Sequence, residues 1–174
     1  MNIEFGVFSG CERFSTIPYF KSEFMIVENG ALYSFDRSEL YVFPPASPYS
    51  FLSLPDKLRS IGQSSFIGCK NLDSILIPDN LVRSIGKSAF AYCINFRMIN
   101  IPSCIESIGS DAFIGCCRLH CGLSIQNRTK TFISTLISSG LPITCIRNCS
   151  SYTCRMIHYN KDLHLSYLFP IIIM

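Results

Sequence analysis

The chain has 174 residues, 48% of them apolar and 16% charged, with a formal net charge of +3. That length fits one domain with ample material for a core. The charge is too small and too dispersed to support a nucleic-acid or membrane-surface partner.

Residues 1–17 read as a partial repeat. Ile3, Phe8, Gly10, Cys11 and Phe14 return in the same order and spacing as Ile61, Phe66, Gly68, Cys69 and Leu72. Residues 18–50 are an inserted segment. Its centre, from Ala31 to Pro45, sets two aromatic, β-prone runs either side of Asp36-Arg37-Ser38, and Pro44-Pro45 stops the second. That pattern predicts a β-hairpin that widens the sheet locally.

Residues 51–125 contain three repeats of 23–24 residues. Leu54-Pro55, Ile77-Pro78 and Ile101-Pro102 lead to Ile61-Gly62, Ile85-Gly86 and Ile108-Gly109, then to Phe66, Phe90 and Phe113, then to Cys69, Cys93 and Cys116. A fixed period of this length is the mark of a solenoid, in which each coil buries its apolar face against the next. Leu72, Ile75 and Ile77 predict a short strand ending at Pro78, since proline cannot donate a ladder hydrogen bond. Val82 and Ile85 predict a second inward-facing segment. Gly86 supplies either a positive φ or room for close approach of backbone, and Lys87 to Cys93 reads as one turn of α- or 3₁₀-helix. Stacking at about 4.8 Å per coil turns the columns into ladders: Ile61, Ile85 and Ile108; Phe66, Phe90 and Phe113; Ser65, Ala89 and Ala112.

Residues 126–174 carry no further copy of the repeat, and read as a degenerate cap over the last coil or as an irregular tail. Thr131 to Ile137 and Ile143 to Ile146 are candidates for irregular strands. The terminal run at 167–174 is apolar but eight residues long, against about 20 for a membrane span. Residues 1–20 lack the basic start and apolar run of a secretory signal. The expectation is that the chain as given carries no targeting or anchoring element.

The phrase I-G-x-x-A-F-x-x-C joined to L-x-x-I-x-I-P resembles the BspA-like leucine-rich repeat, the short type of bacterial and protist surface antigens. The inserted run from Glu28 to Pro45 resembles a segment that often interrupts such arrays. Together the matches cover about residues 3–125. The resemblance implies an α/β repeat solenoid of leucine-rich-repeat type, with short parallel strands and one-turn helices. It also implies a cell-surface location and an adhesion or ligand-binding role, with a protein ligand such as a host or extracellular-matrix protein as partner. Two other non-catalytic readings stay open: an intracellular repeat scaffold, and a truncated or decayed member of a surface-antigen family.

Ten cysteines are present, four of them (Cys11, Cys69, Cys93 and Cys116) in one repeat column. A column of buried small hydrophobes explains these better than disulfides or metal, since stacked Cβ vectors run parallel. Cys104, Cys117, Cys121, Cys145, Cys149 and Cys154 lie off the column. Cys117-x₃-Cys121 and Cys145-x₃-Cys149, near Cys154, His120 and His158, invite a zinc reading, but no tight C-x-x-C knuckle frames them. No P-loop, dinucleotide fingerprint or nucleophile elbow occurs, and His164 completes a set of three histidines in the last third. Asp56 and Asp79, after the prolines, read as turn residues. The expectation is no enzyme, no catalytic residue, no cofactor and no metal. The sequons at Asn127 and Asn148 matter only in a secreted chain.

In leucine-rich solenoids the outward residues of the strands L-x-x-I-x-I face partners. Here those positions are Asp73, Ser74 and Leu76 in one coil and Arg97, Met98 and Asn100 in the next, with Arg118, His120 and Ser124 as continuations.

Overall fold

Each apolar phrase of the repeat lays down one short strand, so every coil contributes two, and like phrases stack in parallel. The structure is a computed structural model describing residues 6–8, 10–79, 81–119, 122–142 and 145. In chain order the strands are β1 (Met25–Glu28), β2 (Ala31–Ser34), β3 (Glu39–Val42), β4 (Phe51–Ser53), β5 (Ser60–Ile61), β6 (Ser74–Leu76), β7 (Ser84–Ile85), β8 (Met98–Ile101), β9 (Ser107–Ile108) and β10 (Gly122–Ile125). The helix α1 (Lys130–Ser138) follows. The segments leading to Leu54-Pro55, Ile77-Pro78 and Ile101-Pro102, with Gly122–Ile125 after them, form a four-stranded parallel sheet, β10-β8-β6-β4. The Ser-Ile phrases form the parallel part of a second sheet, β3-β5-β7-β9. The result is a parallel-strand β-solenoid of about four turns, in which α1 follows β10 in place of a second strand.

The inserted segment begins the second sheet. β1 and β2 pair antiparallel across Asn29-Gly30, whose φ angles of 50° and 75° suit a tight two-residue connection. β2 then pairs antiparallel with β3 around Asp36-Arg37-Ser38, and β3 pairs in parallel with β5. The six-stranded sheet therefore runs β1-β2-β3-β5-β7-β9.

Two sequence expectations are corrected. Lys87 to Cys93 is not a helical turn. Its amides alternate: Ala89, Ala91 and Cys93 donate three residues back, to Gly86, Ser88 and Phe90, whereas Ser88, Phe90 and Tyr92 donate to Ser110, Ala112 and Ile114 of the next coil. Ser64, Phe66 and Gly68 donate to Lys87, Ala89 and Ala91 in the same way. A helix would aim every amide along its own axis. Here pairs of left-handed residues four apart turn alternate amides towards the neighbouring coil: Ser64 with Gly68, Ser88 with Tyr92, and Asp111 with Gly115. Gly6 and Gly10 have positive φ at the same spacing. Secondly, Thr131 to Ile137 is helical rather than strand-like, because Phe132 and Leu136 are buried on one face, four apart. The Thr129 hydroxyl caps α1 by accepting from the Phe132 amide. Ile143 and Ile146 lie outside the described residues, as do Ile3 and all three histidines.

The core is an aromatic stack. Phe66 and Phe90 lie with ring centroids 5.0 Å apart, and Phe90 and Phe113 are 5.5 Å apart and nearly coplanar in tilt, at 8°. The stack begins at Phe43 of the insertion, 5.5 Å from Phe66. Phe8, which matches Phe66 in the partial repeat, instead stacks on Phe14 at 4.8 Å and packs against a separate small core of Val27, Leu32 and Val42. The Ile61–Ile85 column and the small-residue column of Ser65, Ala89 and Ala112 are buried beside the rings.

Two buried hydroxyls, those of Tyr33 and Ser65, have no hydrogen-bond partner among the described residues. Burial, with Glu28 adding to it, raises the Tyr33 phenol above its usual range. An unsatisfied buried group costs about 1–3 kcal/mol, and Ala already occupies the Ser65 position in the next two coils. Ser65→Ala and Tyr33→Phe are each expected to raise unfolding free energy by roughly 1 kcal/mol. Urea titration measures this, and a loss of stability in both variants would contradict it.

Candidate functional site

Strand β6 alternates, as a strand must: Ile75 is buried while Leu76 is 50% exposed. The register sets Phe51 opposite Ser74 and Ser74 opposite Met98, with Ser53 opposite Leu76. Phe51 and Met98 are 56% and 48% exposed. Leu76 is diagonal to both, at the roughly 7–8 Å reach of long side chains on one face. Phe51, Leu76 and Met98 thus trace an apolar zigzag across three coils on the outer face of the four-stranded sheet. Aligning the coils on their prolines places Phe51 in the column of Ser74 and Met98; the sequence-based set omits it.

The charged members of that set pair with each other. The Arg97 guanidinium donates to the Asp73 carboxylate at the rim of the face, where Arg97 is well exposed. Both backbones are held too, since the Arg97 amide donates to the Asp73 carbonyl at 2.7 Å. Asn100 does something else. Its side-chain amide donates to the Ile77 carbonyl at 2.6 Å and its oxygen accepts from the Ile77 amide at 2.7 Å. That pair of bonds fastens β8 to the end of β6 and leaves little of Asn100 for a ligand. Asn71 and Asn95 do similar work, each donating to a carbonyl of the preceding coil, Ser47 and Lys70. Of the continuations, Ser124 lies opposite Asn100 on β10, Arg118 precedes the strand, and His120 is outside the described residues.

The cysteine column is buried at Cys69, Cys93 and Cys116, but Cys11 is exposed. The correction at Cys11 follows from Phe8 leaving the aromatic stack, which removes the layer that would cover it. Each buried thiol has an acceptor: Cys93 donates to the Phe66 carbonyl and Cys116 to the Phe90 carbonyl, both at 3.0 Å. Burial pushes the Cys93 thiol up, and its neighbour Cys93, together with burial, raises Cys116. Neutral, covered thiols are poor nucleophiles. In the native protein these three cysteines are expected to react with maleimide at least about 100-fold more slowly than Cys11. Mass spectrometry of timed samples measures it; equal rates would mean the column is open.

Cys117 is disulfide-bonded, while Cys121, Cys149 and Cys154 lie outside the described residues. Among the described residues no group of three or more His, Cys, Asp or Glu side chains is placed to hold a metal ion. No helix among them is long and apolar enough to cross a membrane.

Comparison with known proteins gives consistent results. A leucine-rich repeat protein from Eubacterium ventriosum superposes with a TM-score of 0.68 at 25% identity, over 75% of this chain and 35% of its own. The pneumococcal vaccine antigen PcpA superposes with a TM-score of 0.51 at 20% identity, over 60% of this chain and 31% of its own, a likeness of fold. This chain therefore spans about a third of either structure. A search of curated proteins gives no match. The sequence matches the BspA type leucine-rich repeat region, in six copies, over residues 39–154. With that match across most of its length, and coils stacked as such repeats require, the chain belongs to the BspA-type leucine-rich repeat family.

Proposed function

We propose that the chain is a non-catalytic recognition module that binds another protein through the outer face of β4, β6 and β8. The observation that carries this reading is the exposed zigzag of Phe51, Leu76 and Met98 beside the Asp73–Arg97 pair. Exposed aromatic and aliphatic anchors framed by charge are the usual make-up of a binding patch. In this reading Ser74 lies within the contact and Asn100 holds the strand behind it. The inserted β2–β3 hairpin widens the adjoining sheet rather than the binding face.

The partner is an extracellular protein, such as a matrix component, and the role is adhesin-like. Membership of the repeat family supports this. PcpA is named as a vaccine antigen; a comparable surface role for this chain is part of the proposal.

Surface plasmon resonance against a panel of matrix proteins tests it. Leu76→Asp combined with Met98→Asp is expected to weaken binding at least about tenfold, the loss of about 1.4 kcal/mol typical of an anchor residue. Thermal unfolding should not change, because both side chains are exposed. Reversing the rim charges, with Asp73→Arg and Arg97→Asp together, keeps a pair yet inverts its polarity and should also weaken binding. A panel without a binder, or a binder indifferent to these variants, overturns the reading.

A further inference from the structure

A second feature lies beside the six-stranded sheet, away from the proposed recognition face. The β2–β3 turn, the loop before β5 and Leu81 of the next coil line an open surface cleft of about 500 Å³. Lys21, Arg37, Lys57 and Arg59 line it against a single carboxylate, Asp36.

Two of these charges are already answered. Arg37 pairs with Glu28. Asp36 accepts from the hydroxyls of Ser34 and Ser38, at 2.7 and 2.8 Å, and from the Ser38 amide at 3.0 Å. Those bonds fasten the turn and form the rim of the cleft. The Lys21 ammonium rests 5.3 Å from the centre of the Phe35 ring. Lys57 and Arg59 have no carboxylate partner among the described residues.

Stacking of the coils explains why Arg59 is left over. The residue before each Ser-Ile strand forms a column, in which Arg83 donates its amide to the Arg59 carbonyl and Glu106 donates to that of Arg83. Arg83 reaches Glu106 at 3.6 Å. Arg59 is flanked instead by Ser38, whose carbonyl accepts its amide, and by the like-charged Arg83. Glu106 answers Arg83, which leaves Arg59 the member of this column without a carboxylate among the described residues and open to an external anion. A planar guanidinium is also well shaped to hold two oxygens of an oxyanion at once. Phe35 and Leu81 are exposed and give the cleft an apolar wall. Its volume falls in the range of small-molecule sites, about 300–1,000 Å³.

We infer that this cleft binds a sulfate or phosphate ester carried on a compact ring. Arg59 and Lys57 hold the oxyanion, Lys21 closes one side, and Phe35 and Leu81 contact the ring. A ligand of this chemistry is presented either by a sulfated saccharide or by a sugar phosphate.

Isothermal titration of the full chain with a sulfated disaccharide, with glucose 6-phosphate and with an unsulfated disaccharide tests the inference. The expected result is saturable one-to-one binding of at least one ester, weakening as salt rises, with no heat from the neutral sugar. Which ester binds more tightly distinguishes the two sources. Arg59→Gln should lower affinity at least tenfold. Arg128→Gln removes the same charge from an exposed site just before α1 and should change affinity less than twofold. Absence of saturable binding by either ester overturns the inference. An equal loss in both variants does so too, since it would mark a general effect of net charge.

Discussion

Phe90→Ala is expected to lower the free energy of unfolding by about 3–5 kcal/mol. Phe90 is fully buried and touches three other rings. Its centroid lies 5.0 Å from Phe66, 5.3 Å from Phe96 and 5.5 Å from Phe113, with interplanar angles of 13°, 15° and 8°. Truncation removes the middle of the stack, and the coils on either side cannot close the gap. Their spacing is set by backbone bonds from Phe90 to Ala112 and from Phe66 to Ala89, both at 2.8 Å, so the cavity stays open. Total stability of domains is typically about 5–15 kcal/mol, which makes this loss a large part of the whole. Urea denaturation followed by circular dichroism measures it, and a loss below about 1 kcal/mol would mean that the stack is loose. Phe8→Ala, outside the stack, should cost clearly less.

Gly86→Ala is expected to be comparably severe for a different reason. A Cβ at Gly86 would stand 2.5 Å from the Gln63 nitrogen and 2.7 Å from the Gly62 carbonyl carbon of the preceding coil. At Gly109 it would meet the Lys87 backbone, with the Lys87 Cα at 2.6 Å. The obstructing atoms are main chain, so relief requires two coils to move apart along the Ile61–Ile85 and Phe66–Phe90 columns. Overpacking of a core costs about 1–3 kcal/mol, occasionally more, and a backbone clash belongs at the upper end. Gly68→Ala is the informative contrast. Nothing lies within 4 Å of a Cβ there, but φ is +69°, so the penalty is only the modest left-handed one, about 1–2 kcal/mol. A Gly86→Ala variant no less stable than Gly68→Ala would contradict the close approach of coils.

The two glycines also show where sequence reading stops. The I-G phrase offered a positive φ or close approach, and the backbone resolves Gly86 and Gly109 to close approach. Positive φ falls on Gly68, Asp111 and Gly115, which propensity favours, but also on Ser64, Ser88 and Tyr92, which a propensity argument would not choose. Those residues divert alternate amides to the next coil, so the segment read as a helical turn becomes a third line of inter-coil bonds. Only the presence of the neighbouring coil makes that arrangement better than a helix. Thr131 to Ile137 went astray for a simpler reason. Its β-branched residues suggested strand, while Phe132 and Leu136, four apart, already carried the helical period.

By itself the sequence determined whatever repeats. The period of 23–24 residues, the inward columns of Ile and Phe, the small residues beside the rings and the outward positions of β6 and β8 all follow from a translation that carries each coil onto the next. One coil's environment is the others' environment, and local pattern is then enough. The tertiary structure alone decided what breaks the period. It put Phe43 of the insertion, and not Phe8, at the head of the aromatic stack. It joined Asp73 to Arg97, turned Asn100 back onto Ile77, and brought Lys21 and the β2–β3 turn beside Lys57 and Arg59. The Phe43, Phe8 and Lys21 contacts depend on where an aperiodic segment returns to the solenoid, which no spacing along the chain encodes. The Asp73–Arg97 and Asn100–Ile77 bonds join residues one repeat apart and depend on side chains that the columns do not repeat.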